Sequence, residues 1–98
     1  MKAIYKAPGE VPQIIDIENT LEALQVAVGG YIETLTFASD ACLICNEEGR
    51  LREMPYNVDF LGAQIFGPIL IVGYEDDKFT DLKRAEEAIP FLFGGFKR

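Results

Sequence analysis

The run from Asn19 to Glu33, NTLEALQVAVGGYIE, constrains the fold more than any other part of the sequence. It holds a helix start, an apolar stripe, a helix stop and a strand entry without a break. Asn19 is expected to cap the helix, with Glu22 three residues on completing a capping box. Leu21, Leu24 and Val28 recur at the three-and-four spacing of one helix face. Gly29 or Gly30 then ends the helix in a left-handed conformation that costs glycine little. Beyond the glycines, Tyr31, Glu33, Leu35 and Phe37 alternate with Ile32, Thr34 and Thr36, the two faces of a strand.

The flanks supply the remaining elements. Lys2 to Lys6 is expected to be a strand, Ala7-Pro8-Gly9-Glu10 a turn, and Val11 to Ile17 a second strand completing a hairpin. Pro12 lacks an N–H, which places that strand at a sheet edge. Ala41 to Asn46 is apolar on both faces, the pattern of a central strand. Glu47-Glu48-Gly49 reads as a hairpin loop with Gly49 left-handed. Arg50 to Met54 then returns as a strand, and Pro55-Tyr56-Asn57 breaks it. Val58 to Phe66 fits either a short helix or an irregular loop. Ile69 to Gly73 is a buried strand and Glu75 to Lys78 a polar turn. A second helix is expected from Thr80 or Asp81 to about Ile89. Leu82, Ala85 and Ile89 form its stripe, and Pro90 ends or kinks it. The order β-β-α-β-β-β-β-α implies one α+β domain over residues 1–98. Its mostly antiparallel sheet has about five to six strands, covered by two helices. Residues 88–98 form an apolar tail.

At 98 residues and 49% hydrophobic, the chain can build one core without staples. No apolar run is long enough to span a bilayer, and Pro8-Gly9 interrupts the N-terminus before a signal core could form, so a cytoplasmic setting is expected. The net charge of -7 disfavours nucleic acid and anionic membranes as partners. Its dispersed acids fit solubility, or an acidic surface that docks on a basic host protein or mimics nucleic acid. The chain has no histidine, the commonest general base and metal ligand. Cys42 and Cys45 are formally C-x-x-C but lie in a strand, where positions three apart face opposite ways. They are expected to be reduced core residues, and no metal or cofactor is expected.

The candidate ligand-binding residues are Tyr31, Asn46, Arg50, Arg52, Tyr56 and Asn57. Arginine offers a fork for phosphate, tyrosine a stacking face and asparagine a base-reading edge, the mixture a nucleotide-like ligand needs. Arg50 and Arg52 are two apart, so a strand would project both from one face. The same residues also suit an ordinary polar hairpin, and Tyr31 also suits packing over the helix end. Phe91, Phe93 and Phe96 either complete the core or form a homo-oligomer interface.

Four pieces together, LEALQ with VGGYIE, CNEEGRL, PYN and GPILIVG, resemble the short phage and mobile-element domains of domain-of-unknown-function family 3846. The likeness spans residues 1 to about 82, and the tail from about Ala88 lies outside it. It implies a small phage accessory protein and transfers no activity. The resulting expectation is a non-enzymatic protein that binds and sequesters a nucleotide-derived immune signal of the host bacterium. The alternatives are an inhibitor that binds a host defence or replication protein directly and, third, a nucleotide-degrading enzyme.

Overall fold

In a computed structural model, residues 1–94 are described. The chain runs β1 (Lys2–Lys6), β2 (Gln13–Asp16), α1 (Leu21–Val28), β3 (Ile32–Ala38), β4 (Ala41–Asn46), β5 (Tyr56–Phe60), β6 (Ala63–Phe66), β7 (Ile69–Glu75), β8 (Lys78–Thr80) and α2 (Ala85–Leu92). One six-stranded antiparallel sheet has the order β2-β1-β7-β4-β3, with β8 also paired to β7. A separate two-stranded sheet joins β5 to β6. The fold is α+β, with the mostly antiparallel sheet that the alternation implied.

The sheet is the middle of three layers. On one face Leu24 and Val28 of α1 pack against Ala3, Cys42, Ile44, Leu70 and Val72. On the other face Ile4, Leu43, Cys45, Ile69 and Ile71 meet Val58, Phe60 and Ile65 of the β5–β6 hairpin and Ala85 of α2. β4 and β7 are buried on both faces because both layers cover them. Cys42 and Cys45 fall on opposite faces, as the strand period requires.

Several elements differ from the sequence-based expectation. The cap of α1 is Thr20, whose hydroxyl accepts from the Ala23 N–H at 3.1 Å, and not Asn19. Asn19 instead donates to the Phe79 carbonyl at 2.9 Å, tying the helix entry to β8. Gly29 takes the left-handed stop, with φ 84°. β2 begins at Gln13 rather than Val11.

Arg50 to Met54 is a turn and not a strand. Its hydrogen bonds are helical: Arg52 N–H to Glu48 O, Glu53 N–H to Arg50 O, and Met54 N–H to Gly49 O. The last two form a Schellman closure, with Glu53 in the left-handed position at φ 56°. Gly49 is needed for space and not for φ, since a Cβ there would collide with the Phe66 carbonyl. Pro55-Tyr56-Asn57 leads into β5, and Val58 to Phe66 is neither helix nor loop but a hairpin. Its two-residue turn, Leu61-Gly62, has φ 53° and 82°, a type I′ geometry. Asp76-Asp77 repeats that geometry between β7 and β8.

The second helix starts at Ala85, four residues later than expected from Asp81, because Lys78–Thr80 is spent in β8. It continues through Pro90 to Leu92, so the proline does not end it. Residues 88–92 are thus helix, and Phe93 is buried in the core, which removes it from any interface. Phe91 is 87% exposed, and Phe96 lies outside the described residues. No helix among the described residues is long and apolar enough to cross a membrane.

Candidate functional site

The six residues singled out from the sequence fall into three groups. Asn46 and Arg52 serve the end of α1, where carbonyls lack helical partners. Asn46 is buried and donates to Val28 O at 3.0 Å, while its own oxygen accepts from the Glu48 N–H at 2.7 Å. Arg52 donates to Gly29 O at 3.3 Å. Tyr31 is exposed, and its carbonyl accepts from the Glu47 N–H.

Asn57 has a different task. Its oxygen accepts from Lys6 Nζ at 2.6 Å, and its amide donates to Lys6 O and Gly67 O. Lys6 is fully buried under the β5–β6 hairpin, and burial pushes its ammonium pKa down. Alternation in β1 puts Lys6 on the same face as Ile4, which was the sequence signal for it.

Arg50 and Tyr56 do meet, through a residue the sequence did not flag. The Arg50 guanidinium lies 4.7 Å from the Phe66 ring centroid and donates to Gln64 at 2.9 Å. Tyr56 presents its ring edgewise to Phe66, centroids 5.8 Å apart, with its hydroxyl donating to Asp59. That bond raises the Tyr56 pKa. Arg50 and Arg52 do not share a face, because no strand holds them: one addresses Phe66 and the other Gly29. The recess beside Arg50 is about 120 Å³ and is flanked by Glu33 and Glu47. It is smaller than the usual small-molecule pocket and holds two carboxylates against one guanidinium.

A larger cleft of about 510 Å³ opens on the opposite face of the sheet, beside α1. Thr34 and Thr36 of β3 form one wall. Tyr74, Asp77, Lys78 and Phe79 of the β7–β8 hairpin form the other, and Asn19 closes one end. The Tyr74 and Phe79 rings sit 6.4 Å apart, tilted by 54°. The Tyr74 hydroxyl donates to Asp77 at 3.2 Å, and that bond raises its pKa. The cleft therefore combines aromatic surface, two free-standing threonine hydroxyls, a carboxamide, one carboxylate and one ammonium. Chemically, that set offers hydrogen-bonding groups of the kind a polyhydroxylated ring needs and one cation for an anionic group, in a volume within the range of small-molecule sites.

The sequence hinted at this site only through the Thr34/Thr36 alternation and the Glu75–Lys78 turn. β8, which supplies the far wall, was not anticipated. Among the described residues no group of three or more metal-ligating side chains converges.

No curated protein and no solved structure matched the chain. A family model described as Domain of unknown function (DUF3846) matches residues 1–91, every described element up to the last turn of α2. The chain belongs to that family.

Proposed function

We propose that the protein acts by binding a nucleotide-derived signal, held in the cleft between β3 and the β7–β8 hairpin, and so withdraws it from a host receptor. The observation that carries this reading is the composition of that cleft: about 510 Å³, two aromatic rings, Thr34, Thr36, Asn19 and one ammonium at Lys78, with the one carboxylate, Asp77, engaged by the Tyr74 hydroxyl. Ring stacking suits a base, the hydroxyls and carboxamide suit a ribose, and Lys78 suits one phosphate. A sequence with no histidine to act as base supports binding over catalysis, and membership of a family of unknown function favours neither.

This reading moves the ligand away from Arg50 and Tyr56 and onto the α1 face. Titration calorimetry tests it with a panel of cyclic dinucleotides, cyclic ADP-ribose isomers and simple nucleotides. A charge-assisted hydrogen bond is worth about 1.5–3 kcal/mol, so Lys78→Ala should weaken binding about tenfold or more. Arg50→Ala should leave it unchanged. Loss on Arg50→Ala with Lys78→Ala silent would return the site to the Phe66 recess. No heat from any ligand would favour direct inhibition of a host protein, and release of an altered ligand would favour an enzyme.

A further inference from the structure

β3 is the outer strand of the six-stranded sheet, paired only with β4 among the described residues. Glu47 N–H donates to Tyr31 O, and Glu33 lies opposite Cys45. Backbone groups alternate sides along a strand, so those of Tyr31, Glu33 and Leu35 address β4. Those of Ile32, Thr34 and Thr36 point to the open edge. An open edge is a template for another strand, and native proteins guard it with charged side chains, lysine above all, with proline or with a bulge. Ile32–Ala38 holds no lysine or proline and one charge, Glu33. The register shift between Thr36 and Ala38 lies toward the end of the strand and leaves Ile32–Thr36 regular.

We propose that β3 pairs antiparallel with β3 of a second copy of this chain, centred on Leu35, to make one continuous sheet. Outward-facing residues must meet outward-facing residues, which limits the register to a few choices. Centring on Leu35 sets Thr34 against the partner's Thr36, a favourable cross-strand pair, and Leu35 against its own copy. It also sets the partner's Glu33 beside Phe37. Phe37 lines a groove of about 330 Å³ with Leu82, Lys83, Arg84 and the exposed Phe91. A carboxylate thus arrives at a groove whose lining carries two cations, Lys83 and Arg84, against one acid, Asp40. Arg84 has only a 3.8 Å contact to Glu87 between two exposed side chains, which competes weakly.

On the other face, Thr34 and Thr36 belong to both the edge and the proposed ligand cleft. The two clefts then meet at the two-fold axis, and the threonines of both copies line a single larger site. This consequence rests on the cleft reading; the dimer itself does not. A two-fold site fits a ligand with two equivalent nucleotide halves.

The register makes the test specific, and it needs no ligand. Leu35 sits at a non-hydrogen-bonded pair on the axis, where Cα atoms lie about 4.5 Å apart, close enough for a disulfide. Leu35→Cys should form an interchain disulfide under mild oxidation. Glu33→Cys should not link to itself, since four residues of strand separate it from its copy by about 13 Å. Sedimentation equilibrium should show a wild-type dimer. Thr34→Pro should give a folded monomer, because the N–H it removes points outward. Glu33→Arg should weaken the dimer about tenfold, and adding Lys83→Glu with Arg84→Glu should restore it. A wild-type monomer at all concentrations would overturn the proposal. So would linkage through Glu33→Cys with none through Leu35→Cys, which would place the pairing in another register.

Discussion

At the scale of single residues, most polar side chains with the right chemistry for a ligand are spent on the fold. Asn46 and Arg52 serve α1, and Asn57 serves Lys6. The cap is Thr20, so Thr20→Ala should cost about 1 kcal/mol in denaturant unfolding. Gly30→Val should cost more, because a Cβ there comes within 2.9 Å of both Arg52 Nη1 and Asn46 Nδ2. Equal melting temperatures for the wild type and both variants would contradict this account of the helix ends. The thiols give a pH dependence. Burial pushes Cys42 and Cys45 up to about 11, with the Glu33 charge adding to the shift of Cys45. The unfolded chain loses these protons first, so their contribution is complete below about pH 9 and falls away as pH rises through 11. Lys6 works in the opposite sense, its depressed pKa favouring the fold as pH rises toward its ordinary value. The readout is therefore a difference. Wild type should lose more stability between pH 8 and pH 10.5 than a Cys42→Ala, Cys45→Ala variant, and parallel losses would contradict it. A thiol probe should label both cysteines only after unfolding.

At the scale of elements, legibility followed how directly backbone and hydrophobic period agreed. Ala41–Asn46 was readable because both faces are apolar, and the strand is buried throughout. Ile32–Ala38 was readable from its alternation and from the glycines before it. The β5–β6 hairpin was hidden because its I′ turn places Leu61, a residue that avoids positive φ, at the first left-handed position. Arg50–Met54 was misread for a related reason: Glu53, and not the nearby Gly49, takes the left-handed closure. The cap choice between Asn19 and Thr20 is not decided by residue type, since both can cap. It is decided by the tertiary bond of Asn19 to Phe79. A leucine in a left-handed turn stores about 1–2 kcal/mol of strain. Leu61→Asn should relieve part of it and raise the melting temperature by about 4–8 °C per kcal/mol recovered. An unchanged or lower melting temperature would show that Leu61 is held by contacts and not merely tolerated.

At the scale of the whole molecule, three layers divide the surface between two unlike faces. The hairpin-and-α2 side carries Arg50, Phe66 and Tyr56 around a recess of about 120 Å³. The α1 side leaves the end of β3 uncovered and opens the larger cleft. The α+β class was legible because the α1 stripe and the core strands β3, β4 and β7 stand where their periods put them, and the family was legible from the likeness of the four sequence pieces. The cleft was not, because its walls come from strands far apart in the chain and meet only across the sheet. Its assignment as the ligand site is the central claim, and a backbone-resolved NMR titration tests it most directly. With the ligand that binds most tightly in calorimetry, the amides of Thr34, Thr36, Tyr74, Lys78 and Phe79 should shift together while those of Arg50, Tyr56 and Phe66 stay fixed. Shifts confined to Arg50, Tyr56 and Phe66 would contradict the account.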